Sequence, residues 1–147
     1  MPILTPMNLR VVSRMTAPEG SDTFISASSG VLREAGDCRS LSYTEEREGG
    51  EKVMTVLSWE REGECLRLAC RGGVRWDARF AAGTVHTGRY EVSSLVFDLT
   101  VRCHEVRLRF DAHGGEIRLL YTRLLGGDEC HVDFRLTAEP KEETPCS

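Results

Sequence analysis

A chain of 147 residues, 40% hydrophobic and 29% charged, has the size and composition of one globular domain that can hold a core without metal or disulfide staples. Its net charge of −4 argues against a general nucleic-acid binder. No apolar run approaches the ~20 residues of a membrane span, so no membrane partner is expected.

The opening segment, MPILTPMNLRVVSRM, carries no charged leader followed by an apolar stretch. A secretory signal is therefore not expected, and the chain is placed in the cytoplasm. From there the sequence punctuates itself with turn-forming clusters: APEGSD, EAGD, REGGEK, EREGE, CRGG, AAGT, AHGG and LGGDE. Breaks at about every 8–12 residues are the spacing of an all-β barrel or sandwich. The predicted strands are 7–16, 22–33, 38–46, 51–60, 64–71, 74–81, 84–91, 95–103, 105–111, 115–125 and 129–138. LREAGD, the nearest approach to a helix, is too short to be one.

Within the strands, apolar and polar residues alternate. Val74, Trp76, Ala78 and Phe80 are interleaved with Arg75, Asp77 and Arg79, and Val132, Phe134 and Leu136 with His131, Asp133 and Arg135. Such alternation gives each strand one dry and one wet face, which suits antiparallel pairing. A long antiparallel meander closes on itself to remove its edges. The expected fold is an all-β, antiparallel, up-and-down barrel of the lipocalin kind, with a two-sheet β-sandwich as the alternative. Residues 1–139 form one domain in this reading, and 140–147 form a loose, charged tail.

Read in order, the marked positions are Gly30, Tyr43 and Glu45, Arg71 and Gly73, Phe80 and Gly83, Tyr90, and Gly115 with Tyr121. Their order and spacing across residues 30–137 resemble the YwiB-like family, domain of unknown function 1934. The family follows its tyrosine with a Thr-Pro-Tyr-Gly turn, where this chain has EVSS, Glu91 to Ser94. The resemblance implies a small bacterial cytoplasmic protein with a calycin-like β-barrel. It implies no activity, because a fold does not give a function.

One set of residues could carry function at the barrel mouth. Tyr43, Glu45, Arg71, Tyr90 and Tyr121 fall on different strands, with His86 as a further ligand-binding candidate. If they point inward, Arg71 pairs with Glu45 and grips a carboxylate or phosphate between tyrosine walls. The competing reading is an internal network that fixes register and plugs the barrel.

A second set is Cys103, His104, Cys130 and His131. On the predicted strand map these lie near one barrel end with Cys38, Cys65 and His86, while Cys70 and His113 lie at the other. Adjacent strand residues face opposite ways, and no Cys-x2–4-Cys spacing occurs, so a metal site is not expected. The six cysteines are expected to be free thiols. No catalytic GxSxG, no P-loop and no cofactor motif is present.

Of the 19 basic residues only Lys52 and Lys141 are lysines. The outward arginines, Arg75, Arg79, Arg107, Arg109, Arg118 and Arg135, are expected to form a ladder with Asp77, Glu105, Glu116 and Asp133. The working function is non-catalytic binding of a small amphipathic or anionic molecule. The alternatives are a plugged barrel serving as a protein-interaction module and an enzyme with a Cys/His rim. A binder should show a cavity of roughly 300 Å³ or more, and an enzyme a Cys and a His within about 3.5 Å.

Overall fold

The computed structural model describes residues 2–46, 50–61 and 63–141. Ten strands make up the described chain: β1 (Ile3–Ala17), β2 (Gly20–Ala35), β3 (Cys38–Glu46), β4 (Lys52–Glu60), β5 (Leu66–Gly72), β6 (Val74–Phe80), β7 (Val85–Val92), β8 (Leu95–Asp111), β9 (Gly114–Leu125) and β10 (Asp128–Pro140). Each pairs antiparallel with its neighbours in sequence, and β10 returns to pair with β1, so the sheet is a closed up-and-down barrel. The expected all-β barrel is the fold. No helix is long and apolar enough to cross a membrane among the described residues.

The sequence predicts eleven strands, and the structure joins two of them. Predicted strands 95–103 and 105–111 are the single strand β8, which crosses His104 through a β-bulge between Cys103 and Glu105. A bulge lets a strand gain a residue without ending it. Cys103 stays inside, His104 and Glu105 both turn outward, and the inward alternation resumes at Val106. Losing one turn also swaps the ends for everything downstream. Cys130 and His131 therefore lie near the β9–β10 turn, at the end opposite Cys38, Cys65 and His86. His104 lies within a strand, at neither end.

The second correction is at the C-terminus. Pro140 still pairs with Met7, and the Lys141 amide donates to the Pro6 carbonyl at 3.0 Å, so the barrel runs past residue 139. The rest of the expected tail, 142–147 with Cys146, lies outside the described residues.

Inward residues fill the lower barrel. Met7, Leu32, Leu41, Leu57, Leu66, Phe80, Leu99, Ile117, Leu119 and Leu136 are fully buried. Trp59 meets Phe110 edge-on at 5.6 Å, and Phe80 meets Tyr121 in the same way at 5.0 Å. Gly30 permits close packing here. A Cβ on it would lie 2.7 Å from both Leu9 Cδ1 and the Ser42 carbonyl oxygen, opposite Tyr43 in the next strand. The glycines at turns behave as the sequence suggests, with Gly72, Gly114, Gly126 and Gly127 at φ +112°, +105°, +57° and +93°.

Candidate functional site

The connections β1–β2, β3–β4, β5–β6, β7–β8 and β9–β10 share one end of the barrel, and the interior narrows there to a cavity of about 140 Å³. Its walls include Tyr43, Tyr90, Tyr121, Trp76 and Phe134, with Glu45, Thr55 and Arg123 as polar members. Tyr43 and Tyr121 are buried, while Trp76 and Tyr90 are half-buried at the rim and tilt together at 6.2 Å. The three tyrosines and Glu45 do converge. The cavity is smaller than the 300 Å³ expected of a binder, because these aromatic rings occupy much of the mouth.

Arg71 is not part of it. Its Nη1 and Nη2 donate to the Asp77 carboxylate at 2.7 and 3.3 Å, and Nη1 also donates to the Cys70 carbonyl. Leu66, Leu68 and Cys70 take the inward positions of β5, so alternation sends Arg71 outside. Glu45 instead accepts a hydrogen bond from the Ser26 hydroxyl. His86 is half-buried on the inward side of β7, toward the opposite end, and does not line the cavity. Glu91–Ser94, where the chain departs from the family turn, ends β7 and forms the turn beyond it, with Ser93 in the left-handed region at φ 55°. This segment does not line the cavity either.

The cation in the cavity is Arg123, which sequence reasoning missed. It follows Ile117, Leu119 and Tyr121 on the inward side of β9, and its Nε is buried with no hydrogen-bond partner among the described residues. Tyr121 is close enough to feel its charge. A buried guanidinium N–H without an acceptor is costly, and native structures rarely leave one unmet.

Burial raises the pKa of the Tyr43 and Tyr121 phenols above their ordinary value of 10.0, and the Glu45 charge pushes Tyr43 further the same way. Both hydroxyls are thus neutral donors at neutral pH. Ionisation is easier in the unfolded chain, so the stability these groups contribute is complete below about pH 10 and falls as pH rises toward the raised values. Each tyrosine costs up to ~1.4 kcal/mol per pH unit in that window. Urea unfolding between about pH 9 and pH 11 should show this loss, and a Tyr43→Phe/Tyr121→Phe protein should show a flatter profile. Equal slopes would contradict the assignment.

On the outside, Cys103 and His104 face opposite sides of the wall, as do Cys130 and His131. The two histidines instead meet at Thr122. Its Oγ1 lies 2.7 Å from His104 Nε2 and 2.9 Å from His131 Nδ1. One hydroxyl proton serves both contacts, so Thr122 donates to one imidazole and accepts from the other. Among the described residues no group of three His, Cys, Asp or Glu side chains is placed to hold a metal ion.

The sequence model of the family described as "Domain of unknown function (DUF1934)" matches residues 9–137. The chain belongs to that family. A solved structure with the DUF1934-like barrel is the ywiB protein from Bacillus subtilis, which superposes with a TM-score of 0.83 at 22% identity, covering 95% of this chain and 94% of that one. The likeness establishes the shared fold. No curated protein matches the chain. The DUF1934 barrel here therefore owes any functional reading to its own side chains.

Proposed function

We propose that this protein is a non-catalytic binder of a small amphipathic anion, held in the tyrosine-walled cavity with Arg123 as its cationic contact. The observation that carries the reading is the Arg123 Nε, buried at the cavity with no partner among the described residues. An incoming carboxylate supplies the missing acceptor, and the neutral phenols of Tyr43 and Tyr121 flank it. Glu45 is already engaged by Ser26. A cavity near 140 Å³ suits a ligand about the size of benzene carrying one anionic group, since a 150 Å³ apolar cavity accepts benzene. The free thiols of Cys38, Cys65, Cys103 and Cys130 suit a reducing, cytoplasmic setting, and the Bacillus relative supports a bacterial one.

Native mass spectrometry of gently purified protein, compared with the same sample denatured, tests this. An excess mass lost on denaturation, or calorimetric binding of benzoate to ligand-free protein, is the expected result. A bare native mass together with no benzoate binding would sink the reading. It would leave the filled barrel with a protein partner as the better account.

A further inference from the structure

The outer wall carries a cluster of cations away from the cavity. Four outward arginines on β5 and β8–β10 are neutralised, whereas Arg75, Arg79 and Arg109 of the expected ladder have no carboxylate within ion-pair distance among the described residues. Arg71 bonds to Asp77, Arg107 to Glu105, Arg118 to Asp133 and Arg135 to Glu116, at 2.7 to 3.8 Å. The row running across β2 to β6 gathers unpaired cations on neighbouring strands. In register it reads Arg33, Ser40, Ser58, Arg67, Arg79, one residue per strand. Arg67 and Arg79 stand directly opposite each other, an arrangement that destabilises an antiparallel pair. None of Arg33, Arg67 and Arg79 has a carboxylate within ion-pair distance among the described residues, although the chain as a whole is acidic.

These residues line a groove of about 530 Å³. Arg79 is held in place by its Nε, which donates to Cys65 Sγ at 3.0 Å, leaving both Nη groups for another acceptor. Arg39 also borders the groove but is already engaged, bonded to Glu34 and to the Gly36 and Cys38 carbonyls. The half-buried serines form a floor between the cations. The one carboxylate on the lining among the described residues, Glu60, sits beside Cys38 in the neighbouring row.

The geometry points to a binding site for a small organic diphosphate, with one phosphate taken by the Arg67/Arg79 pair and the other lying over Ser40 and Ser58 toward Arg33. Guanidinium groups recognise phosphate oxygens through paired N–H donors, and an anion between Arg67 and Arg79 removes the repulsion that their register imposes. The volume is that of a small-molecule site, larger than the phosphates alone require, so an organic moiety has room beside them.

Calorimetric titration of the full chain with inorganic pyrophosphate and with ADP tests the assignment. Both should bind, ADP at least as tightly as pyrophosphate. An Arg67→Gln/Arg79→Gln protein should lose tenfold or more of that affinity while its melting temperature holds or rises, since both side chains are exposed and mutually repulsive. Arg118→Gln, which removes an outward arginine already paired, should bind as the unaltered protein does. Arg123→Met should also bind both probes normally, which separates this site from the barrel cavity. Absence of binding at millimolar pyrophosphate, or equal losses in the double variant and Arg118→Gln, would overturn the proposal. So would loss of binding on replacing Arg123.

Discussion

Replacing Arg123 with methionine should raise the melting temperature of the ligand-free protein and at the same time weaken its affinity for benzoate. The two effects share one cause. In the free protein the Arg123 Nε is buried without an acceptor among the described residues, and an unmet buried donor costs ~1–3 kcal/mol. Methionine is similarly long and unbranched, packs well against aromatic rings such as Tyr121 and Trp76, and carries no donor to satisfy. A gain of ~1 kcal/mol moves the melting temperature of a domain of this size upward by about 2–4 °C. Binding responds in the opposite sense. A hydrogen bond to a charged partner contributes ~1.5–3 kcal/mol, so its loss weakens benzoate by roughly 10- to 150-fold. Thermal unfolding and calorimetry on the same two samples measure both. A variant that melts lower and still binds benzoate would show that Arg123 serves the fold, and the ligand reading would fall with it.

The largest expected loss of stability is from Phe80→Ala. Phe80 is fully buried at the end of β6, opposite Leu66 across the sheet, and its ring meets Tyr121 edge-on at 5.0 Å and 62°. Truncating such a residue leaves a void that the close-packed barrel cannot fill, at a cost of ~3–5 kcal/mol. The edge-to-face contact adds ~0.5–1.5 kcal/mol that its area alone does not explain. The melting temperature should drop by roughly 6–20 °C, and Phe80→Leu should restore most of it. Tyr121 loses its support in the alanine variant, so benzoate affinity should also fall. A drop of only a degree or two would mean that the ring is not packed as described.

Most of the barrel was legible because a half-buried antiparallel strand writes its two faces into alternate residues. Val74–Phe80 and Val132–Leu136 show this directly. Where alternation is masked, the reading went astray. In β9 the outward side carries Leu120 and Leu124 as well as Arg118, so both faces look apolar and Arg123 gives no sign of facing inward. The parity was nonetheless present in Ile117, Leu119 and Tyr121. In β5 the same parity ran through Leu66, Leu68 and Cys70, and it places Arg71 outside despite its position between two candidate tyrosines. At Cys103–Glu105 no turn-forming residue marks a strand end. A bulge there imitates a break in alternation, which split β8 and misplaced every downstream end. The arginine row across β2 to β6 was beyond reach for a different reason. It depends on register among five strands, and register is set by pairing across the sheet, which no single strand encodes.

The seam between β1 and β10 joins the two ends of the sequence, with Thr16 opposite His131 and Met7 opposite Pro140. On the ribosome the first strand emerges more than a hundred residues before its partner, and nine strands wait with two bare edges until the tenth appears. Contacts this distant along the chain make closure a late and slow event. During that wait the nascent sheet offers unpaired backbone to any neighbouring polypeptide. A chain cut short before Asp128 would never leave that state, so for this barrel the synthesis of β10 decides between a sealed molecule and an adhesive one.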